Sequence, residues 1–167
     1  EKYGGAGVAD FRYEQVLIEE NIRHGEPCFY LNLHSRLVGP YFGQLGNDEQ
    51  KARFLPSFVK GEKILAVAMT EPGAGSDVAG MKTRAEDKGD HWLLNGTKTW
   101  ISNANCADVN IFYAYTNVGG KRELSAFVVE LKNLNAIPVT GLEKMGSHCS
   151  PTGEIVLENT KVPKENI

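Results

Sequence analysis

Residues 64–77 read ILAVAMTEPGAGSD, an apolar run that ends abruptly in a polar, glycine-rich segment. The apolar half has the length of a β-strand and shows no helical period. Pro72 has no N–H group and pushes the residue before it into an extended conformation, while Gly73 and Gly75 let the backbone approach a ligand closely. The stretch therefore predicts a strand followed by a loop that offers N–H groups and hydroxyls to a flat or anionic ligand.

Two common nucleotide-binding motifs do not match this loop. A Walker loop needs Gly-Lys-Ser or Gly-Lys-Thr after its glycines, and that sequence does not follow here. A dinucleotide fingerprint needs a third glycine that opens a helix, but Val78 stands at that position. By spacing alone, the segment is equally explained as an ordinary surface turn.

A second stretch, HWLLNGTKTWISN, occupies residues 91–103. Asn95-Gly96 between two strand-like runs predicts a tight β-hairpin turn. Trp100 ends the second run beside the hydroxyl of Ser102, an arrangement that could stack on a planar ring and hydrogen-bond its edge. A tryptophan packed in the core or at its rim explains the same residue.

Together the two stretches resemble the flavin-binding middle domain of the acyl-CoA dehydrogenases. The matching residues are MTEPGAGSD at 69–77 and the pattern NGxKxWISN at 95–103, and the resemblance extends from Tyr3-Gly4-Gly5 to Val162-Pro163. It implies an enzyme that removes an α-proton from an acyl-CoA thioester and passes the β-hydride to N5 of FAD. The flavin would be the electron sink, and the protein would supply position and electrostatics.

The resemblance implies that the first stretch holds one edge of this cofactor. Met69 and Thr70 would lie beside the isoalloxazine edge, through backbone and hydroxyl groups. Gly75 and Ser76 would lie near the flavin phosphates and the pantetheine arm, so Ser76 is also the expected substrate contact. Val67, where some relatives have an aromatic residue, is included in the expected cofactor site.

The second stretch would cover the ring. Trp100 is expected over one face of the isoalloxazine. Ser102, which is often threonine in the family, keeps the hydroxyl and would hydrogen-bond near the reactive flavin nitrogen. Ile101 lies between them and belongs to the same expected site.

No catalytic base is expected within this chain. In the family the base is a glutamate of a C-terminal helical domain, and no glutamate of this sequence matches that position. Glu71 lies inside the motif but precedes a proline, so it is expected to be a structural hydrogen-bond acceptor. The 167-residue chain alone is therefore expected to retain flavin weakly or not at all and to show no turnover.

Three alternatives remain open. The same scaffold would serve an oxidase that passes electrons to oxygen, or a reductase that runs the chemistry backwards. The third alternative is a binding or assembly module that kept the fold but lacks the catalytic base. In the family the second helix sets part of the floor of the acyl pocket, but Tyr30, Leu33 and Leu37 in this region are equally explained as core, so the sequence does not select an acyl chain.

The partners implied by the resemblance are an acyl-CoA substrate, an electron-transferring flavoprotein and further copies of the chain, as a tetramer when full length. The net charge of −3, with both signs spread along the sequence, predicts no nucleic-acid partner. No apolar run approaches the roughly 18 residues of a membrane-spanning helix. We therefore expect the cytoplasm of a bacterium or the mitochondrial matrix.

Cysteines and histidines give no signature of a metal site. Cys28, Cys106 and Cys149 are widely spaced, which predicts neither a disulfide framework nor a metal-binding pair. The four histidines show no ligand spacing, so we expect no metal. A reducing compartment is the simplest interpretation of three such cysteines.

The order of the predicted elements indicates an α+β fold, with N-terminal helices followed by an antiparallel β-barrel or sandwich, because short connections favour antiparallel neighbours. Residues 1–61 would form part of an N-terminal helical domain, and residues 62–167 the middle β-domain. Helices are predicted at Phe11–Ile22, from Pro27 to Leu45 with a kink at Gly39-Pro40, and at Asp48–Phe54, the last closed by Pro56. Strands are predicted at Ile64–Met69, Met81–Ala85, His91–Leu94, Thr97–Ile101, Val109–Tyr115, Leu124–Glu130 and Gly153–Leu157.

Overall fold

The computed structural model describes four parts of the chain: residues 1–26, 30–131, 137–138 and 141–167, with backbone alone for 137–138. It divides into two compact units: Glu1–Ile64 with Glu143–Ser150, and Leu65–Leu142 with Pro151–Ile167. None of the described helices combines the length and the apolar character that crossing a bilayer requires.

Helices fill most of the first unit. Their bounds are Phe11–Arg23 for α1, Leu33–Val38 and Tyr41–Leu45 for two successive π-helical segments, and Asp48–Val59 for α2. Asp10 caps α1 by accepting the N–H of Arg12 at 3.0 Å. Asn47 and Gln50 form the predicted capping box of α2, at 2.8 and 3.1 Å. All three predicted helices are confirmed, although the predicted start at Pro27 lies outside the described residues.

The second predicted helix is wound more loosely than its apolar spacing suggests. The N–H of Gly46 donates to the carbonyl of Tyr41, a π-helical step of five residues. The buried side chains here are Val38 and Phe42, which are 0% and 2% exposed. The apolar residues whose spacing indicated this helix, Tyr30, Leu33, Leu37, Tyr41 and Leu45, do not form its buried face, since Tyr30, Leu37 and Leu45 are 39%, 49% and 77% exposed.

Prolines interrupt these helices less than predicted. Pro40 keeps right-handed helical dihedral angles, and Pro56 lies inside α2, so the prediction that it ends the helix is wrong. Helix α2 continues because Phe58 is buried against Phe42 and Phe54, with ring centroids 4.8 and 5.9 Å away. This aromatic packing outweighs the one backbone hydrogen bond that a proline removes.

A single sheet of seven described strands forms the second unit. The strand bounds are Leu65–Ala68 (β1), Arg84–Asp87 (β2), His91–Ser102 (β3), Val109–Val118 (β4), Lys121–Glu130 (β5), Ile137–Pro138 (β6) and Thr152–Pro163 (β7). The strand order is β1-β4-β2-β3-β7-β6, and β5 pairs with β4.

The α+β class is confirmed, and the sheet is mixed rather than antiparallel. Strand β1 runs parallel to the first half of β4, from Leu65 opposite Val109 to Ala68 opposite Phe112, and β2 adds one parallel bridge to β4. The antiparallel expectation holds for the hairpins β2–β3 and β4–β5, which have short turns. It fails for β1 because this strand leads into the glycine-rich loop and pairs with a strand much later in the chain. The described strands follow an open path rather than a closed barrel.

Asn95-Gly96 lies inside β3, opposite a bulge of β7, and is not a hairpin turn. Strand β3 pairs with β7 on both sides of this dipeptide, with a shift of register between Leu94 and Gly96. Gly96 has φ +154°, and a Cβ there would lie 2.3 Å from the hydroxyl oxygen of Thr83. The side chain of Asn95 accepts the N–H of Asn159 in β7 at 2.9 Å. The hairpin prediction is wrong because the same dipeptide also suits a strand whose backbone is approached closely by a neighbour.

The core of this unit lies beneath β3, β4, β5 and β7. Trp92 packs edge-on against Phe127 with ring centroids 5.5 Å apart. Fully buried apolar side chains around them include Leu94, Phe112 and Ile155. This core supports β3 along its length and so fixes where the far end of β3 lies.

The cysteines depart from the expectation. Cys106 carries a free thiol, whereas Cys149 is disulfide-bonded. The wide spacing, which predicted no disulfide framework, thus gave no indication of the disulfide at Cys149, because cysteine pairing depends on distances in the fold and not on separation in the sequence. Among the described residues, no three His, Cys, Asp or Glu side chains cluster as a metal site would require.

Candidate flavin site

The glycine-rich loop after β1 is closed by its own backbone. The N–H of Glu71 donates to the carbonyl of Ala74 at 2.9 Å, and the N–H of Ala74 donates to the carbonyl of Glu71 at 3.1 Å. This pair closes a tight turn over Pro72-Gly73, which is exposed. A Cβ added at Gly73 or Gly75 would meet no atom within 4 Å, so the outer side of the loop is open to a ligand.

A buried ion pair holds the loop from the inside. The side chains of Lys98 and Glu71 are 0% and 6% exposed, and the ammonium donates to the carboxylate at 2.8 Å. The same carboxylate accepts the backbone N–H groups of Lys82 and Thr83 at 2.6 and 2.9 Å. The ammonium also donates to the carbonyl oxygen of Met69 at 3.2 Å. The pair thus ties the start of the loop, its end and strand β3 together.

The surroundings of this pair keep its carboxylate ionised. Burial alone would raise the pKa of Glu71, but hydrogen bonds from Lys98, from Thr83 and from the N–H of Lys82 outweigh it and lower the pKa to about 2. Burial lowers the pKa of Lys98, and the Glu71 carboxylate opposes that effect. A carboxylate with so low a pKa does not accept a proton near neutral pH. The expectation that Glu71 is a structural acceptor is confirmed.

Strand β3 brings the second stretch against the loop. The N–H of Thr99 donates to the carbonyl of Thr70 at 2.9 Å. Lys98 and Thr99 are both buried, and the register with β7 shifts between Lys98 and Ile101, so the regular alternation of the strand breaks here. At this second bulge Trp100 has φ +59° and its side chain is 59% exposed. An exposed indole therefore directly follows two residues that hydrogen-bond the loop.

The predicted cofactor residues of the first stretch differ in exposure. Val67, Met69 and Thr70 are half-buried where β1 ends and the loop begins, whereas Gly75 and Ser76 are exposed. The carbonyls of Met69 and Thr70 are both occupied by β3, through Lys98 and the backbone of the next residue. A ligand could therefore reach the side chains of Val67, Met69 and Thr70 at the start of this stretch and the backbone of Gly75 at its end.

The three predicted residues of the second stretch fall into two kinds. Trp100 presents most of its side chain to solvent, and Ser102 is half-buried opposite Thr152 of β7. Ile101 is 3% exposed and belongs to the hydrophobic core, so only its backbone could touch a ligand.

Sequence reasoning missed the role of Lys98, although a signal for it exists. Trp92 and Leu94 occupy alternate positions of β3 and are buried, and Lys98 continues that alternation. A lysine at a core-facing position of a strand needs a partner of opposite charge. The motif already contained that partner in Glu71.

Comparison with known proteins assigns the chain to a family. Residues 1–62 match the family described as acyl-CoA dehydrogenase, N-terminal domain, and residues 66–160 match acyl-CoA dehydrogenase, middle domain. The chain belongs to the acyl-CoA dehydrogenase family.

Similar proteins extend well beyond this chain. It is 48% identical to a glutaryl-CoA dehydrogenase of Desulfococcus multivorans, over 100% of the chain and 44% of that protein. It is 39% identical to a 3-(aryl)acrylate reductase of Clostridium sporogenes, over 99% of the chain and 44% of that protein. A solved acyl-CoA dehydrogenase from Bacillus anthracis, complexed with FAD, superposes with a TM-score of 0.88 at 40% identity, over 99% of this chain and 28% of that one. The chain thus spans less than half the length of these relatives.

Proposed function

We propose that the complete protein is a flavin-dependent acyl-CoA dehydrogenase, to which residues 1–61 contribute part of the N-terminal helical domain and residues 62–167 the middle domain. Family membership supports the class of reaction. The hydrogen bond between Thr99 and Thr70 carries the assignment of the site, because it holds the open loop beside the exposed Trp100.

The residues present fit FAD. A planar ring needs an apolar face to stack on, and the exposed indole of Trp100 offers one. A phosphate-bearing arm needs backbone that can be approached closely, and Gly75 with the exposed Ser76 beside it offers that. Thr70 and Ser102 add hydroxyls for the edge of the ring. Bound FAD would supply the acceptor for the substrate hydride.

The chain's own residues would orient the reactants and limit the access of water. Trp100 would shield one face of the ring from solvent, and the hydroxyls of Thr70 and Ser102 would fix its rotation in the plane. Ser76 would contact the pantetheine arm of the acyl-CoA. Glu71 takes no part in proton transfer, because its carboxylate is buried, hydrogen-bonded and ionised. We therefore assign the base that removes the α-proton to a part of the complete protein outside this chain.

A reductase that uses the same site in the opposite direction is the second candidate. The similarity to a 3-(aryl)acrylate reductase, at 39% identity, favours keeping it beside the dehydrogenase. Two further alternatives are an oxidase and a binding module that lacks the base. For the dehydrogenase we propose an electron-transferring flavoprotein as electron acceptor, a homotetramer as the assembly, and the bacterial cytoplasm or mitochondrial matrix as the location.

The test is an anaerobic titration of the complete, flavin-loaded protein with a panel of saturated acyl-CoA thioesters. A dehydrogenase loses its visible flavin absorbance on adding a saturated thioester, and an electron-transferring flavoprotein restores it faster than oxygen does. A reductase instead regains absorbance after chemical reduction when the unsaturated thioester is added. In an oxidase, oxygen restores the flavin absorbance that the saturated thioester has removed.

The isolated 167-residue chain is the control and should turn over none of these thioesters. A complete protein that binds no flavin, or whose flavin responds to no thioester in either direction, would contradict the proposed function. Dehydrogenation by the isolated chain would contradict the placement of the base.

A further inference from the structure

Lys98 has no part in the function proposed above, yet its side chain is completely buried. Burying a charge pair is costly, and well-packed apolar side chains can often replace one without loss of stability. A lysine in this position therefore calls for a role other than stability, and its contacts indicate one.

The two hydrogen bonds that β3 sends to the loop fix two successive peptide groups. The Lys98 ammonium binds the carbonyl of Met69 at 3.2 Å, and the N–H of Thr99 binds the carbonyl of Thr70 at 2.9 Å. With both carbonyls held, the backbone around Thr70 is restrained, and so is the point at which its side chain leaves the backbone. These two residues are the ones proposed to lie at the flavin edge.

The far end of the loop is anchored separately. The hydroxyl of Tyr115 donates to the carbonyl of Ala79 at 2.9 Å, and the Arg122 guanidinium donates to the carbonyl of Met81 at 3.0 Å. Arg122 also stacks on the Tyr115 ring, 3.5 Å from its centroid. Loss of the Lys98 ammonium should therefore free the Met69 carbonyl, while the N–H of Thr99 still holds the Thr70 carbonyl and the end of the loop remains attached to β4 and β5.

We propose that Lys98 is a positioning residue for the flavin, whose ammonium orients the Met69–Thr70 peptide through a direct hydrogen bond and through Glu71. This inference rests on the proposed function, because it concerns how the same site is held. Neutralising the Glu71 charge is then only one of two tasks of Lys98. The second task, holding the Met69 carbonyl, needs the donor itself.

Three variants of the complete protein separate these tasks. Lys98→Met removes the donor and leaves the Glu71 carboxylate buried without its cation. The double variant Glu71→Gln/Lys98→Met removes both charges but keeps an oxygen that can accept an N–H of the loop end. Lys161→Met, an exposed lysine of β7, is the matched control. For each variant the FAD dissociation constant, the visible flavin spectrum, the flavin reduction potential and the melting temperature are measured.

We expect Lys98→Met to weaken FAD binding by about tenfold or more and to shift the flavin spectrum, since a hydrogen bond from a charged group is lost. The double variant should regain much of the melting temperature while FAD binding stays weak and the spectrum stays shifted. If Lys98→Met does not fold, the FAD affinity and the flavin spectrum of the double variant test the inference by themselves.

A double variant that recovers both the melting temperature and the wild-type FAD affinity would overturn the inference, because charge neutralisation would then be the whole role of Lys98. Unchanged FAD binding and spectrum in both Lys98 variants would overturn it as well, and would leave the proposed function intact. If the wild-type protein and Lys161→Met bind no FAD, the proposed function fails and the inference fails with it.

Discussion

At the scale of single residues, the buried pair of Glu71 and Lys98 organises the site. The sequence predicted the acceptor role of Glu71 from its place before a proline in the motif, but not its donors, the N–H groups of Lys82 and Thr83, which lie 11 and 12 positions away. It did not predict the role of Lys98, because lysine is among the least buried residues and its partner lies 27 positions away. Only the three-dimensional pairing shows that one ammonium binds two oxygen acceptors, on Glu71 and on Met69.

The low pKa of Glu71 predicts how the chain responds to acid. In the folded chain this pKa is about 2, below the value of 4.5 expected when unfolded, so the ionised carboxylate stabilises the fold. That contribution is complete above pH 4.5 and is lost as the pH falls toward 2. The Glu71→Gln variant should lose on the order of 3 kcal/mol of unfolding free energy at neutral pH and should show a weaker acid dependence.

The measurement is chemical denaturation of the chain between pH 7 and pH 2. Glu158→Gln, which changes an exposed carboxylate of β7, should retain the wild-type acid dependence. A Glu71→Gln variant that loses stability with falling pH as steeply as the wild type would show that Glu71 is not the group that titrates.

At the scale of elements, strand β3 is where local sequence signals and the fold disagree. The strand-like runs on both sides of Asn95-Gly96 predicted strand correctly, and glycines with positive φ lie in the turns before β3 and between β4 and β5. The Asn95-Gly96 signal was misleading, because the positive φ of Gly96 serves a close approach to Thr83 and not a change of direction. The bulge between Lys98 and Ile101, which exposes Trp100, has no sequence signal that we can name.

Gly96 should therefore be far less tolerant of substitution than its place in a strand suggests. A Cβ there would lie 2.8 Å from the Cα of Thr83, and φ +154° is rarely adopted by other residues. We expect Gly96→Ala to lower the unfolding free energy by roughly 2–4 kcal/mol, from overpacking and backbone strain together.

Gly89→Ala in the β2–β3 turn is the matched control for this prediction. Its φ of +94° adds backbone strain, but no atom lies within 4 Å of the new Cβ. If Gly96→Ala costs no more unfolding free energy than Gly89→Ala in the same denaturation experiment, the close approach to Thr83 does not constrain β3 at this position.

At the scale of the whole molecule, the order of helices followed by strands was sufficient to predict an α+β fold. The parallel pairing of β1 with β4 was not predictable, because turn signals report on neighbours in sequence and these strands are separated by the whole loop and two further strands. The candidate site was predicted from its two motifs, yet the contacts that join them, from Thr99 to Thr70 and from Lys98 to Met69, appear only in the fold.

The central claim is that the loop from Thr70 to Ser76 and the strand end from Trp100 to Ser102 form one surface for a tricyclic redox ring. The most direct measurement is a crystal structure of the complete protein with FAD bound. The account predicts the isoalloxazine in van der Waals contact with the Trp100 indole on one face and with the Met69–Thr70 segment along its edge. A flavin ring that touches only one of these segments, or that binds elsewhere on the protein, would contradict it.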